Sequence, residues 1–264
     1  MAESVLLSKE GDIAVVTLNR PEVFNAFDHE MVQRLADCLT DIAADAGIRG
    51  VVITGAGKAF CAGGDLKSAS KFPGGPPAAF YKLASIFHKG IVEIFRMRRP
   101  VIAAVNGIAA GAGFSLALAC DFRVMEKSAS FRQAYTSWGL CIDGGGTYTL
   151  PRLVGSARAI EIAAFDAPIS SVQAIQWGLV TKVTDDGRSL EKALNIAREL
   201  EKRSLNSFAV SKRLILESFC APVEVHLEKE REGISACAAH PDGIEGLAAF
   251  NEKRSPEFKR DSPL

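Results

Sequence analysis

Apolar positions along this chain alternate between two spacings, and the alternation predicts its architecture. Ser4 to Leu18 carries two strand-like pieces around Glu10-Gly11-Asp12, a hairpin signal, the second piece being Ile13-Ala-Val-Val-Thr-Leu18. Helical spacing follows at Met31, Leu35, Leu39 and Ile42, with Asp28 placed to cap the helix. Val51-Val-Ile-Thr54 reads as a buried strand. Residues 69–79 are rich in Gly, Pro, Ser and Ala and read as a loop. The stripe Phe80, Ala84, Phe87, Ile91, Ile94 then predicts a long helix over about 78–98, ended by Pro100. Val101 to Val105 and Asp121 to Met125 read as further strands. Strand and crossover helix in repetition predict an α/β fold. Beyond Ser156 the spacing is mostly helical, over 157–165, 171–177, 189–202, 206–219, 222–236 and 243–253. A soft boundary near 200 separates an α/β core (1–200) from an amphipathic helical extension (201–264).

Two glycine-rich turns interrupt this pattern. Gly107 to Ala119, G-I-A-A-G-A-G-F-S-L-A-L-A, holds three glycines and five alanines in thirteen positions, directly after the strand Val101–Val105. Such a turn exposes backbone N–H groups at a helix N-terminus, suited to an oxygen gaining negative charge. A small-residue helix packed tightly on a sheet explains the stretch equally well. The second turn, Gly55-Ala-Gly-Lys-Ala-Phe-Cys-Ala-Gly-Gly-Asp-Leu-Lys67, again runs from a strand to a helix start, at Asp65. Two such turns can each supply one N–H to a single oxyanion.

Composition narrows the setting. The 264 residues are 48% hydrophobic and 23% charged with zero net charge, an ordinary globular balance with no electrostatic case for nucleic acid or an anionic membrane. Six scattered cysteines, at 38, 61, 120, 141, 220 and 237, show no paired spacing and read as buried thiols in a reducing compartment. The four histidines are isolated, so no metal site is expected. No basic segment followed by an apolar core opens the chain, and no run nears the roughly 18 apolar residues of a membrane span; a cytoplasmic protein is the expectation.

The motifs G-K-A-F-C-A-G-G-D-L and N-G-I-A-A-G-A-G-F-S-L-A-L-A-C-D together resemble the crotonase (enoyl-CoA hydratase/isomerase) superfamily, and the likeness runs from Leu18-Asn-Arg-Pro21 to Phe250-Asn-Glu-Lys-Arg254. The resemblance implies a crotonase fold, a spiral of ββα units followed by C-terminal helices that build trimers, often paired into hexamers. It implies an acyl-CoA thioester substrate, no cofactor beyond that coenzyme A, and an oxyanion hole formed by the N–H groups of Gly64 and Ala112. It also implies CoA contacts at Val23, Ala26, Ala62, Asp65 and Leu66. Phe250 and Lys253 would come from the C-terminal helix of a neighbouring subunit to cover the adenine and a phosphate.

The acid/base residues depart from the hydratase pattern. Hydratases of the family use two glutamates to activate water, and the matching positions here are Ser115 and Tyr135, neither a good base near neutral pH. Asp143 lies in Trp138-Gly-Leu-Cys-Ile-Asp-Gly-Gly-Gly-Thr147, among apolar neighbours whose packing would raise its pKa. Read on its own it is a helix cap. However, I-D-G-G-G-T-Y-T-L-P-R-L-V-G resembles the ring-epoxide and enoyl-CoA isomerase branch, in which this aspartate is catalytic. The position also matches the essential aspartate of dienoyl-CoA isomerases and the nucleophile of 4-chlorobenzoyl-CoA dehalogenase. His88 matches that dehalogenase's general base, though a lone histidine on an apolar helix face is more often a core or rim residue.

Three readings follow. The leading one is an enoyl-CoA isomerase with Asp143 as acid/base. The second is a hydratase, or an aromatic or alicyclic acyl-CoA hydrolase or dehalogenase, using Asp143 with His88 and with Tyr135 donating to Asp143. The third is a non-catalytic CoA-binding trimer. Residues 69–79, the helix 78–98, Tyr135, Trp138 and Tyr148 are expected to shape the acyl pocket, which leaves both fatty-acid oxidation and aromatic degradation open.

Overall fold

A computed structural model describes residues 3–258 of the chain. The expected hairpin joins β1 (Val5–Glu10) antiparallel to β2 (Ile13–Leu18) across Gly11, whose φ of 66° suits glycine. α1 (His29–Ala44) follows, and the Asp28 carboxylate accepts from the Met31 N–H at 2.9 Å, capping its first turn. Successive passes of chain then lay one strand in a first sheet and the next in a second. They are β3 (Gly50–Gly55) with β4 (Ala59–Cys61), leading to α2 (Leu66–Ser70) and α3 (Gly75–Arg96); β5 (Val101–Val105) with β6 (Ile108–Ala110), leading to α4 (Ala112–Ala119); and β7 (Phe122–Glu126) with β8 (Ser130–Arg132), leading to α5 (Gly146–Phe165).

The remaining elements are β9 (Ile169–Ser170), α6 (Ser171–Gln176), β10 (Lys182–Thr184), α7 (Ser189–Leu200), α8 (Leu205–Glu217), α9 (Val223–Ala239) and α10 (Pro241–Glu252). The first sheet has the order β1-β2-β3-β5-β7-β10 and is parallel from β2 onward; the second has the order β4-β6-β8-β9. The fold is a spiral of ββα units ending in helices.

Strands covered on both faces need apolar residues at every position. Ile13, Val15, Val52, Ile102, Ala104 and Val124 pack on Ala193, Leu194 and Ala197 of α7. Their alternates Ala14, Val16, Val51, Ile53, Ala103 and Val105 face the larger core with α1, α3 and α4.

Differences from the sequence reading have local causes. The expected loop 69–79 shrinks to residues 71–74, because Pro76 and Pro77 occupy the first turn of α3, where a missing N–H leaves nothing unsatisfied. β4, β6 and β8 are three residues each, too short to show a period. The helix start that the cap reading of Asp143 implied is continuous with the expected helix 157–165, a continuity the sequence masks because Pro151 lies inside α5 and Gly155 (φ 77°, ψ 159°) kinks it.

α8 is fastened to the core by a buried ion pair. Lys212 Nζ donates to Asp121 Oδ2 at 2.9 Å and to the Ile94 carbonyl at 2.8 Å and lies 2.8 Å from Oδ1, while Asp121 Oδ2 also accepts from the Val101 N–H at 2.8 Å. Burial raises the Asp121 pKa, the Lys212 charge opposing the shift. Lys212→Met strands that carboxylate, and a loss of about 3–5 kcal/mol of stability is expected at neutral pH. A carboxyl group whose folded pKa is raised binds its proton more readily when folded, so its penalty is full above the folded pKa and fades toward the unfolded value of about 3.9. Denaturant titrations of wild type and Lys212→Met should therefore converge as pH falls toward 4; a constant gap contradicts this account.

Candidate active site

The two glycine-rich turns meet backbone to backbone. Gly63, between β4 and α2, has φ 96°, and a Cβ there would stand 2.9 Å from the Ala110 carbonyl oxygen. Gly113, in the first turn of α4, lies so close to the other turn that its Cβ would be 2.2 Å from the Cys61 oxygen. Gly111, which precedes α4, takes φ 53° and ψ −126°. Only residues without side chains allow this approach. It leaves the Gly64 and Ala112 N–H groups with no acceptor among the described residues, both at the wall of one cavity. Every residue of α4 is buried, so the positive end of its dipole acts from a dry interior. The tight packing expected of this stretch is present, and it is compatible with the oxyanion-hole reading because it leaves the two N–H groups unpaired.

A latch from the preceding segment holds the Ala62–Gly64 turn. Ala62 N–H donates to Phe24 O at 3.0 Å, Phe27 N–H to Gly63 O at 2.7 Å and Asp65 N–H to Phe27 O at 2.8 Å. Asn25, fully buried with φ 57°, donates through Nδ2 to Ala56 O and Ala59 O and accepts from the Arg20 N–H. Arg20 bridges Ala26 O, Asp28 and Asp65 at 2.6, 3.1 and 3.3 Å. The Asp65 side chain is thus committed to Arg20 and, as cap of α2, to the Ser68 N–H at 3.0 Å. Val23 lies part-buried on the 3-10 turn Pro21–Val23, and Ala26 is buried in this latch. Neither Arg20 nor Asn25 was singled out in the sequence, although a buried polar Asn25 between Phe24 and Phe27 was the available signal.

The cavity between the turns and the Asp143 segment measures about 280 Å3. Gly64, Ala112, Tyr135 and Asp143 all line it, together with Ala62 and Leu66. Phe80, Leu83, Trp138 and Leu140 supply apolar surface. Phe250 and Lys253, on and just after α10, are exposed and do not line it. Tyr148, expected beside the acyl group, instead donates to Leu216 O at 3.1 Å and lines a different cavity with Phe95 and Phe208. Cys61 adjoins the site, but burial pushes its thiol up to about 12, which removes it as a nucleophile.

Asp143 is not a helix cap. Gly145 caps α5 without any side-chain bond, and the Asp143 carboxylate instead accepts a short hydrogen bond from the Tyr135 hydroxyl. The side chain is half-buried rather than enclosed, a correction to the sequence reading. Tyr135 is buried, and burial, followed by the Asp143 charge, holds its phenol above its ordinary range, so it serves as a donor. Ser115 Oγ donates to the Asp143 main-chain oxygen at 2.8 Å, supporting the turn from beneath. His88 stands outside the cavity lining, exposed, and its Nε2 accepts from the Gly144 N–H at 3.2 Å. The lone pair a general base would use is thereby occupied in holding the same turn. Among the described residues no cluster of three or more His, Cys, Asp or Glu side chains could hold a metal.

An unpaired N–H pair and one carboxylate lining a single, mostly apolar cavity coincide with a sequence match over nearly the whole chain. Residues 8–261 match the enoyl-CoA hydratase/isomerase model. The chain belongs to the enoyl-CoA hydratase/isomerase family. It is 38% identical over 259 residues to a 1,2-epoxyphenylacetyl-CoA isomerase of Escherichia coli (strain K12), covering 98% of this chain and 99% of that protein. It is 35% identical over 264 residues to a carnitinyl-CoA dehydratase of Salmonella typhi, with the same coverage. An enoyl-CoA hydratase structure from Polaromonas sp. JS666 superposes with a TM-score of 0.91 at 38% identity, over 97% of this chain and 99% of that one. Relatives on this scaffold are thus named for isomerisation, for dehydration and for hydration.

Because Ala112 is the first residue of α4, proline is tolerated there and deletes its N–H outright. Ala112→Pro is expected to lower kcat on an accepted acyl-CoA by about 10²–10³, the usual loss for one oxyanion donor, with the melting temperature little changed. Undiminished turnover in a folded Ala112→Pro enzyme would remove Ala112 from the oxyanion hole.

Proposed function

We propose that this enzyme shifts a carbon–carbon double bond in an acyl-CoA thioester, as an enoyl-CoA isomerase. The observation that carries this reading is a single carboxylate, Asp143, lining one cavity with two unpaired backbone N–H groups, with Ser115 and Tyr135 where water-activating glutamates would stand. Asp143 takes a proton from the carbon next to the thioester carbonyl, and the C–H electron pair moves into a dienolate. Its oxygen is held by Gly64 and Ala112 N–H, donors that need no change of protonation. Asp143 returns the proton two carbons away and recovers its charge. Tyr135, donating to one carboxylate oxygen, leaves the other to carry the proton. No water enters, and no cofactor beyond the substrate's coenzyme A is required.

The CoA moiety runs along the latch at Val23, Ala26, Ala62, Asp65 and Leu66, and the acyl group enters the apolar end of the cavity near Trp138. Its volume suits a ring or a medium chain. The same reading makes the region after about residue 200 an oligomerisation unit and the enzyme a cytoplasmic homotrimer or dimer of trimers. Ile234, Ile244, Leu247 and Phe250 leave α9 and α10 with an apolar face uncovered in the single chain. Phe250 and Lys253 would then reach a neighbour's CoA. Sedimentation at micromolar concentration should give three or six chains per particle, and a monomer would refute that part.

The deciding assay offers a 3-enoyl-CoA and follows the absorbance of the conjugated 2-enoyl thioester. A rise that Asp143→Asn abolishes, with no ¹⁸O taken from labelled water, is the expected result. Incorporation of solvent oxygen would instead favour the hydrating or hydrolytic alternative, and unaltered activity in Asp143→Asn would exclude Asp143 as the acid/base.

A further inference from the structure

Asp166 is a carboxylate, 2% exposed, that no step above uses. It ends α5 in the left-handed conformation, φ 50° and ψ 30°, which a non-glycine residue adopts at a cost. Its Oδ1 accepts from the Ala134 N–H, and its Oδ2 from the Ser137 N–H at 3.3 Å and from the Ser137 hydroxyl. Arg132 Nε donates to its main-chain oxygen at 3.0 Å and stands 3.7 Å from Oδ1. These donors flank Tyr135 on both sides. Ala134 is itself left-handed, with φ 54°, so the segment from Ala134 to Ser137 is held in a shape alanine does not favour. Tyr135 projects from that segment onto Asp143.

We propose that Asp166 is a positioning residue that, by tying down Ala134 and Ser137, sets the Tyr135 hydroxyl on Asp143 and thereby fixes the orientation of the proton-carrying carboxylate. The proposal rests on the reading of Asp143 as that carrier. Three donors converge on Asp166, and only a carboxylate accepts all three without turning an N–H toward them. Released from it, the strap relaxes toward ordinary backbone angles, the Tyr135 hydroxyl moves, and Asp143 loses the bond that selects one of its oxygens. Small displacements of this kind act on turnover more than on binding, because the CoA contacts lie on other elements.

The test uses Asp166→Gly, which removes the carboxylate but suits the left-handed backbone, and Asp166→Asn, which keeps the volume should the glycine variant fail to fold. Three readouts are taken on the full chain. First, kcat is expected to fall roughly three- to tenfold, the worth of one hydrogen bond, with KM nearly unchanged. Second, in a Tyr135→Phe background the same Asp166 substitution is expected to add little; an equal loss in both backgrounds overturns the proposal. Third, in protein labelled with ¹³C at the tyrosine ζ carbon, the Tyr135 resonance (assigned by its loss in Tyr135→Phe) is expected to move in the Asp166 variant, as it is also expected to in Asp143→Asn. An unmoved resonance overturns the proposal without reference to turnover. Failure of the Asp143 reading shows separately, as retained activity in Asp143→Asn, and the resonance then still decides whether Asp166 places the hydroxyl.

Discussion

The site depends on one steric constraint, the contact of two main chains with no side chain between them. Gly113 lies with the place of its missing Cβ 2.2 Å from the Cys61 oxygen, and Gly63 makes a similar approach to Ala110. Any larger residue at either position separates the two turns, and the two N–H groups then no longer face one point. Two N–H dipoles aimed from dry interior stabilise an oxyanion only if they are already in place when charge develops. The latch of Arg20 and Asn25 serves that preorganisation, since their side chains brace the segment whose main-chain bonds hold the Ala62–Gly64 turn.

Much of the fold was legible because its core strands are longer than one period of their pattern. Val51–Thr54 and Val101–Val105 announce themselves as unbroken apolar runs, and Asp28 marks the start of α1 by a cap the structure contains. What was hidden is short or irregular: the three-residue strands of the second sheet, and the continuity of α5 across Pro151 and a kink at Gly155. The candidate site was legible to a different depth. Glycines that must approach another backbone, and a carboxylate before three glycines, leave a mark in one dimension. Partnerships do not. Nothing local in the sequence says that Asn25 ties a turn thirty residues on, that Tyr148 faces Leu216, or that His88 spends its acceptor nitrogen on Gly144.

Membership of the enoyl-CoA hydratase/isomerase family fixes the scaffold and leaves the chemistry to a few side chains, as relatives named for isomerisation and for dehydration, at 38% and 35% identity, illustrate. One fold can serve several reactions, and the choice lies in the side chains that line the cavity with the N–H pair. Here these include a carboxylate that accepts from a tyrosine and whose main chain accepts from a serine. Asp143 is the one carboxylate among the residues lining that cavity, so no pair of carboxylates stands there between which a water could be held.

α4 makes these two halves of the site a single rigid object. Ala112 and Ser115 are three residues apart, so they lie on one face of the helix. The first presents its N–H to the cavity, while the second donates its hydroxyl to the Asp143 main chain at 2.8 Å. A shift of α4 therefore moves the Ala112 N–H and the Asp143 main chain together. Ser115 and the Asp143 turn pack closely, since a Cβ on Gly146 would lie 2.7 Å from Ser115 Oγ and one on Gly144 3.0 Å from Ser115 Cβ. The glycines at 144 and 146 are thus what let the turn close onto α4, and a side chain at either position would have to push the Asp143 main chain away from Ser115.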